Sequence, residues 1–427
     1  MQHDPIETAT RPGDSGRRHQ AAHFSEPVIS VELTTPQRLA TMEREWRDLV
    51  GRALADNAFL EPAVIAAAAV AGPTTIHVLL VWSAPSPNEQ SRLIGLWALA
   101  HRRASALLRF PILKAPAHDH AFLGTPVLDR DAAGEALSNM LDAIAGNPSL
   151  PNILRIESLD AAGPIAAVFA DVLARRRSPS AYLETRLRPA LLKSQPDDGA
   201  SSVSASRAKA LRKRRRRLVS QGVVNYTQHE NSDDIGQAVE EFLALEASGW
   251  KNQWSARGQA ILRFPSVTTF FRTAIAALAA RRLVRITALR LDGRAIAMQL
   301  TIHSGNTAFT WKTAYDEKLS TFAPGLLLHQ EMTARLLADL ELSVVDSCSR
   351  DDIGYMAEFW AGRRAVSDLF IDVRPHRTVL FGLISGAETM RRRLMDAARQ
   401  GRSLLLTARQ HATVSALASG RGVGGKQ

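Results

Sequence analysis

The chain has 427 residues, 45% of them hydrophobic, and 53 Lys and Arg against 42 Asp and Glu, for a net charge of +11. That length allows two domains with their own cores, and the charge favours acidic partners: nucleic acid, anionic lipid, or a polyphosphate such as a nucleotide or coenzyme A. The single cysteine, Cys348, excludes a disulfide framework and a cysteine-based zinc site, and fits a reducing cytoplasm.

Residues 1–25 are polar, with Pro12, Gly13 and Gly16 and no apolar signal core, so they are expected to be a disordered lead-in. The small-apolar run Ala63–Gly72 is about half the length of a spanning helix. Residues 26–188 read as a first mixed α and β domain. Strands are expected at 28–33, 75–82, 91–100, 152–157 and 182–187, helices at 36–50, 62–71, 132–145 and 161–177, and a loop-rich stretch at 110–128.

Residues 189–206 are rich in Ser, Asp, Pro and Gly and read as a linker. A basic helix follows at 207–219, including Arg214 to Arg217, with Ser206 as its expected cap and Gly222 closing it. Its arginines suit nucleic acid, an anionic membrane surface or coenzyme phosphates, or form a solvated linker helix. Aromatic residues that would stack bases are absent there, which disfavours nucleic acid.

The second domain, 207–375, continues with a strand at 223–227 and a helix opened by Ser232, whose apolar face is Ile235, Val239, Phe242 and Leu243. More helix follows at 266–280. Asp292-Gly293 marks a hairpin between strands at 283–291 and 295–303. The strand Thr307–Tyr315 alternates, placing Phe309, Trp311, Thr313 and Tyr315 on one face and Ala308, Thr310, Lys312 and Ala314 on the other. Pro324-Gly325-Leu326 then opens a helix to Leu340, and a short strand ends at Asp346. Strand, glycine turn and helix present free backbone N–H groups to an anion, typically phosphate. Residues 376–427 read as a helical extension with a frayed tail.

Candidate site residues follow from these placements. Pro324, Gly325 and Leu326 form the phosphate-binding turn. Glu246, on an apolar helix face, is a candidate base, or else pairs with a cation such as Lys251. Trp250 and Trp254 bracket Lys251 and suit a sugar, nucleotide or peptide, or pack in the core. Trp311 and Lys312 lie on the opening strand, with Lys312 facing a phosphate, an acidic acceptor or solvent. Tyr315 and Asp316 sit at its end, where substrate loops cluster. Glu331, with Leu327 and Arg335 four residues to either side, reads as a plain surface pair. Asp346 either binds the acceptor or caps the next helix. Tyr355 follows that strand. No spacing of His, Cys, Asp or Glu marks a metal site.

Glu246-Ala-Ser-Gly-Trp-Lys251, Trp311-Lys-Thr-Ala-Tyr-Asp-Glu317, Ala323-Pro-Gly325 with Glu331, and Asp346-Ser-Cys348 followed by Trp360 resemble the GNAT-superfamily acetyltransferases with a BioF2-like domain. These CelD/BcsL-like proteins are linked to cellulose or exopolysaccharide production and are related to the FemAB peptidyltransferases. The resemblance implies an α/β (mixed α+β) fold of tandem GNAT-like domains, each a mostly antiparallel sheet flanked by helices. It implies an acyltransferase drawing on acetyl-CoA or another acyl-CoA, with an amine or hydroxyl acceptor, saccharide or small molecule. Glu246 and Asp316 would be the catalytic carboxylates, and Tyr355 would protonate the departing thiolate. Two alternatives follow: an aminoacyl-tRNA-dependent FemAB-like transferase, or a non-catalytic basic module docked on a polysaccharide-synthesis complex at the inner membrane surface.

Overall fold

The computed structural model describes residues 29–85, 91–104, 110–193, 204–249, 260–350, 352–376 and 378–394. The expected lead-in, the tail beyond 394 and the Trp250-Lys251-Trp254 segment lie outside these residues.

The first half runs β1 (Ser30–Thr34), α1 (Glu43–Gly51), α2 (Pro62–Ala71), β2 (Ile76–Trp82), β3 (Leu93–Arg103), β4 (Pro111–Ala115), β5 (Val127–Leu128), α3 (Ala133–Ala145), β6 (Ile153–Asp160), α4 (Pro164–Arg176) and β7 (Ser180–Leu192). The second runs α5 (Ala205–Val219), β8 (Val224–His229), α6 (Ser232–Ala247), α7 (Pro265–Ala280), β9 (Val284–Leu291), β10 (Arg294–Ser304), β11 (Thr307–Tyr315), α8 (Pro324–Ala338), β12 (Val344–Asp346), α9 (Tyr355–Phe359) and β13 (Arg363–Asp372). A last helix, α10, covers 379–394. The mixed α/β class, with a mostly antiparallel sheet flanked by helices, is the one expected.

The strands form one sheet in the order β1-β2-β3-β4-β6-β13-β7-β12-β11-β10-β9-β8, with β5 beside β3. The two halves exchange their final strands: β13 lies between β6 and β7, while β7 carries on to pair with β12 through Ala190, Leu191 and Leu192. The segment expected to be a linker therefore opens as strand. Pro189 is tolerated there because the N–H it lacks is not needed where β7 passes from one partner to the next. The stretch expected to be loop also contains a strand, β4, which runs parallel to β6.

Local capping differs in detail from expectation. Ser204, not Ser206, accepts from the Arg207 N–H at 3.3 Å, Ser220 rather than Gly222 caps the end of α5, and Ser232 is the first residue of α6 after Asn231. Asp292 and Gly293, both at positive φ, make the hairpin turn.

Cores form on both sheet faces. On one side of the second half, α6, α7 and residues of the first half pack Phe59, Phe242, Phe271, Phe309 and Trp311 together. On the other, α5, α8 and α9 bury Leu211, Leu218, Leu328, Phe359 and Trp360. The β10–β11 register slips at Leu300/Thr301, so that Leu300 faces Lys312, Thr301 faces Thr310, and Trp311 is the extra residue. A bulge of this kind flips every later side chain to the opposite face. Lys312 therefore does not oppose Trp311: its Nζ lies 5.8 Å from the centre of the Phe271 ring, which also packs on Trp311 at 4.8 Å. Thr313 joins the α8–α9 side, where it meets Tyr355.

Candidate active site

A gap in the sheet is the central feature. β12 pairs in parallel with β11 only at Thr307, Ala308 and Phe309. Among the described residues, β11 then continues six residues to Tyr315 with no partner strand on that side. Asp346 causes the departure. Its carboxylate accepts from the Cys348 N–H at 2.7 Å, a turn that lifts the chain out of the sheet, and Cys348 takes φ 53°. Backbone N–H and C=O groups along Thr310–Tyr315 thus form an internal edge, bounded by α8 and α9.

Tyr355, the first residue of α9, covers this edge. Its hydroxyl shares a hydrogen bond with Thr313, and burial pushes the phenol above its usual pKa, the Thr313 bond opposing and Tyr315 adding to the shift. The Tyr355 ring meets His329 of α8 at 5.0 Å. His329 is buried among Tyr355, Phe359 and Trp360, and burial drives its pKa down to about 3, so it is a neutral wall of the gap.

At the mouth, Ala323 turns the chain at φ 51° and Pro324 begins α8. A Cβ on Gly325 would lie 3.4 Å from the Tyr315 ring, an ordinary contact, so neither crowding nor backbone strain demands glycine there. Fewer amides are free here than a glycine turn suggests. Pro324 has no N–H, and Leu326 and Leu327 both donate to the Ala323 carbonyl, at 3.0 and 3.1 Å. Among the described residues, no backbone carbonyl accepts from the Gly325 N–H.

The structure brings Tyr315, Pro324, Gly325, Leu326 and Tyr355 together around this gap, and places the other candidates elsewhere. Asp346 has no exposed surface and is held by Arg188 at 3.3 Å and Arg364 at 3.0 Å, so it neither meets an acceptor nor caps a helix. Burial raises its pKa, but the two guanidinium groups outweigh that and hold the carboxyl below its usual value. Asp316 accepts from the Lys318 N–H at 3.0 Å and pairs with Arg294 at 2.8 Å, fixing the turn before α8. Glu246 is buried and accepts from the Ile261 N–H at 3.0 Å, tying α6 to the segment before α7. Trp311 is buried in the aromatic core and donates to the His120 carbonyl at 2.8 Å. Glu331 pairs with Arg335 at 2.9 Å.

Sequence reasoning missed Arg188, Thr313, His329 and Arg364. Arg188 is 1% exposed although it stood at the edge of an expected linker. Thr313 was assigned to the wrong side because nothing in the sequence marks the bulge.

The matching corner of the first half is closed. β4 and β6 also run parallel, but Gly124 donates to the Glu157 carbonyl at 2.9 Å. A Cβ there would sit 2.6 Å from the Ala115 carbonyl oxygen and 2.7 Å from that of Glu157. The chain itself occupies the space that Tyr355 borders in the second half.

Residues 205–376 match the family described as "Acetyltransferase (GNAT) domain". The second half of the chain is thus similar to acetyltransferase domains of the GNAT class. Its likeness to solved structures extends over both halves. FemX aligns at 10% identity over 83% of this chain and 100% of its own, with a TM-score of 0.53. A conserved protein from Bacteroides thetaiotaomicron VPI-5482 aligns at 12% identity over 81% and 99%, with a TM-score of 0.46. A tandem GNAT protein from the clavulanic acid biosynthesis pathway aligns at 16% over 82% and 100%, with a TM-score of 0.39. No curated protein matches the chain. Among the described residues, no helix is long and apolar enough to cross a membrane, and no group of three or more His, Cys, Asp or Glu could hold a metal ion.

Proposed function

We propose that the chain transfers an acyl group from an acyl-coenzyme A, acetyl-CoA being the simplest donor, to an amine or hydroxyl. The observation that carries this reading is the β11 edge Thr310–Tyr315, beyond the end of the β12 pairing, with the Tyr355 hydroxyl over it and the α8 N-terminus at its mouth. An extended thioester arm can lie along that edge as an added strand would, its amides pairing with β11. The residues fit such a donor: the gap has backbone donors and acceptors on one wall, a neutral aromatic wall opposite, and the Gly325 turn beside Tyr315 at the entrance.

Within this frame each residue has a task. N–H groups of β11 that face the gap stabilise the oxyanion formed as the acceptor attacks the carbonyl. Tyr355 keeps its proton at neutral pH, because its pKa is raised, and gives it to the leaving sulfur. It regains a proton from solvent, and the acceptor releases its own proton to water. Positioning and electrostatics supply most of the rate gain, without a covalent enzyme intermediate.

The acceptor class we propose is a saccharide amine or hydroxyl of exopolysaccharide or cell-envelope synthesis, supported by the sequence resemblance to CelD-like proteins. The experiment is mass spectrometry of purified protein with acetyl-CoA and a panel of amino sugars and oligosaccharides. A product heavier by one acetyl group supports the reading. No coenzyme binding by calorimetry removes it.

A further inference from the structure

We infer that the outer face of α10 docks this protein on a membrane surface rich in anionic phospholipid, a contact separate from the gap and independent of the acyl-coenzyme A reading. α10 covers the sheet of the first half on the side away from α3 and α4. Its Phe381 and Ile384 pack on Ile112, Ile153 and Phe370, while the next residues along those strands, Leu113, Leu154 and Leu369, enter the core with α3 and α4. Thr378 caps the start of α10, donating to Asp372 at 2.6 Å and accepting from the Phe381 N–H at 3.1 Å. Near its end Arg392 reaches Glu184 at 2.9 Å and Glu388 at 3.0 Å. Both ends are held, so the face turned outward is fixed.

That outward face is apolar. Val379, Leu383, Met390 and Leu394 fall within an arc of about 60° on an α-helix, and all are more than half exposed. A helix that is apolar on the side it buries and again on the side it exposes is shaped for a second partner. The charges beside the stripe give that partner's sign. Arg391 and Arg393 border it on either side, and both are exposed. Arg391 is tied to Glu388 at 2.6 Å, while among the described residues Arg393 enters no ion pair. Glu388 is the one acid in the sequence of α10, and it is buried, as are Asp368 and Asp372 beneath the helix. The carboxylates face inward and the guanidinium groups outward.

An aliphatic stripe between arginines fits anionic lipid. The apolar side chains enter the boundary of the acyl chains while the guanidinium groups meet headgroup phosphates. Either signal alone is weak, and the two together give a stable, reversible contact. Other occupants of the stripe fit less well. A second copy of α10 would set arginine against arginine, with no outward acid on the helix to answer them. Residues 395–427 of this chain carry five Lys or Arg and one acid, so they repel the same flanks and share the attraction to an anionic surface.

The test is sedimentation of the full chain with phosphatidylcholine vesicles and with vesicles holding roughly one third phosphatidylglycerol. Wild type should partition onto the anionic vesicles about tenfold or more strongly than onto the neutral ones. Raising NaCl from about 0.1 to about 0.5 M should release much of it. L383Q/M390Q/L394Q should weaken the partition on the order of 100-fold, and R393Q about fivefold. Urea midpoints should not move, because these side chains are exposed. K209Q/K213Q/R216Q, on the basic helix α5, should stay within about threefold of wild type. M390C carrying an environment-sensitive fluorophore should shift to shorter wavelength on the anionic vesicles, the native Cys348 being buried. No partition of wild type onto anionic vesicles overturns the inference. So does partition that survives L383Q/M390Q/L394Q, or that the α5 variant abolishes instead. A wild-type dimer in vesicle-free solution that the same α10 variant dissolves also overturns it, since a second copy then covers the stripe.

Discussion

Neutralising Asp346 should unfold the junction between the two halves, not abolish binding of an acceptor. Its carboxylate sits between Arg188 of β7 and Arg364 of β13, with no surface exposed. Asp160 still balances Arg364 at 2.7 Å when Asp346 is neutral, but among the described residues Arg188 is left with neutral acceptors alone: Ser349, Phe122 and Ser158. Stranding one buried charge costs about 3–5 kcal/mol. D346N keeps the oxygen that accepts from Cys348 and should fall at the lower end. D346A also loses that bond, a further cost of about 1 kcal/mol. With urea slopes of roughly 2–3 kcal/mol/M, D346N should lower the unfolding midpoint by about 1–2 M. The double variant R188M/D346L, which replaces the stranded charge with apolar bulk, should recover at least half of the loss. The pH dependence has a fixed sign. The folded carboxyl titrates below its unfolded value, so its contribution is full above about pH 4 and fades as pH falls through the depressed pKa. The gap between wild type and D346N should therefore close in acid. A D346N midpoint within about 0.3 M of wild type at pH 7 would refute the reasoning.

Further outcomes follow from the same geometry. Y355F should lower kcat for thiol release from acetyl-CoA by about 100-fold or more with little change in KM, and T313V should do the same more weakly; an unchanged Y355F rate removes the proton-donor role. E246Q keeps an oxygen for the Ile261 N–H and should stay within about threefold of wild type, whereas a catalytic base would lose roughly 100-fold or more. Burial holds His118 and His329 near pKa 3 and His120 and His303 near 4, all below the unfolded value, aided by His120, Lys312 and Arg285 for His118, His120 and His303 respectively. Such groups stabilise the fold above about pH 6.5, and each should cost about 1 kcal/mol per pH unit as pH falls toward the folded value. Urea midpoints measured at pH 7.5, 6 and 5 should decline steadily, and H329L should flatten part of that decline.

What the sequence revealed was local, and what it hid was long-range. Asp292-Gly293 forced a hairpin, and Thr307–Tyr315 and the helix after Pro324 were readable from their own patterns. The exchange of β7 and β13 was not, because it depends on pairing between segments nearly two hundred residues apart. The bulge at Trp311 is one residue inserted against β10 and has no composition of its own, yet it decides that Thr313 faces Tyr355 while Lys312 turns to Phe271. Asp346 looked like a ligand-binding acid because Arg188 and Arg364, which claim it, come from two other strands. Glu246 looked like a base for a similar reason, its partner Ile261 lying beyond the end of α6.

The gap between β11 and β12 is tested most directly by a crystal structure with bound acetyl-CoA. The thioester sulfur should lie within hydrogen-bond distance of the Tyr355 hydroxyl, with the arm paired along Thr310–Tyr315. A coenzyme bound anywhere else, or a gap that stays closed around Tyr355 at saturating ligand, would contradict the account.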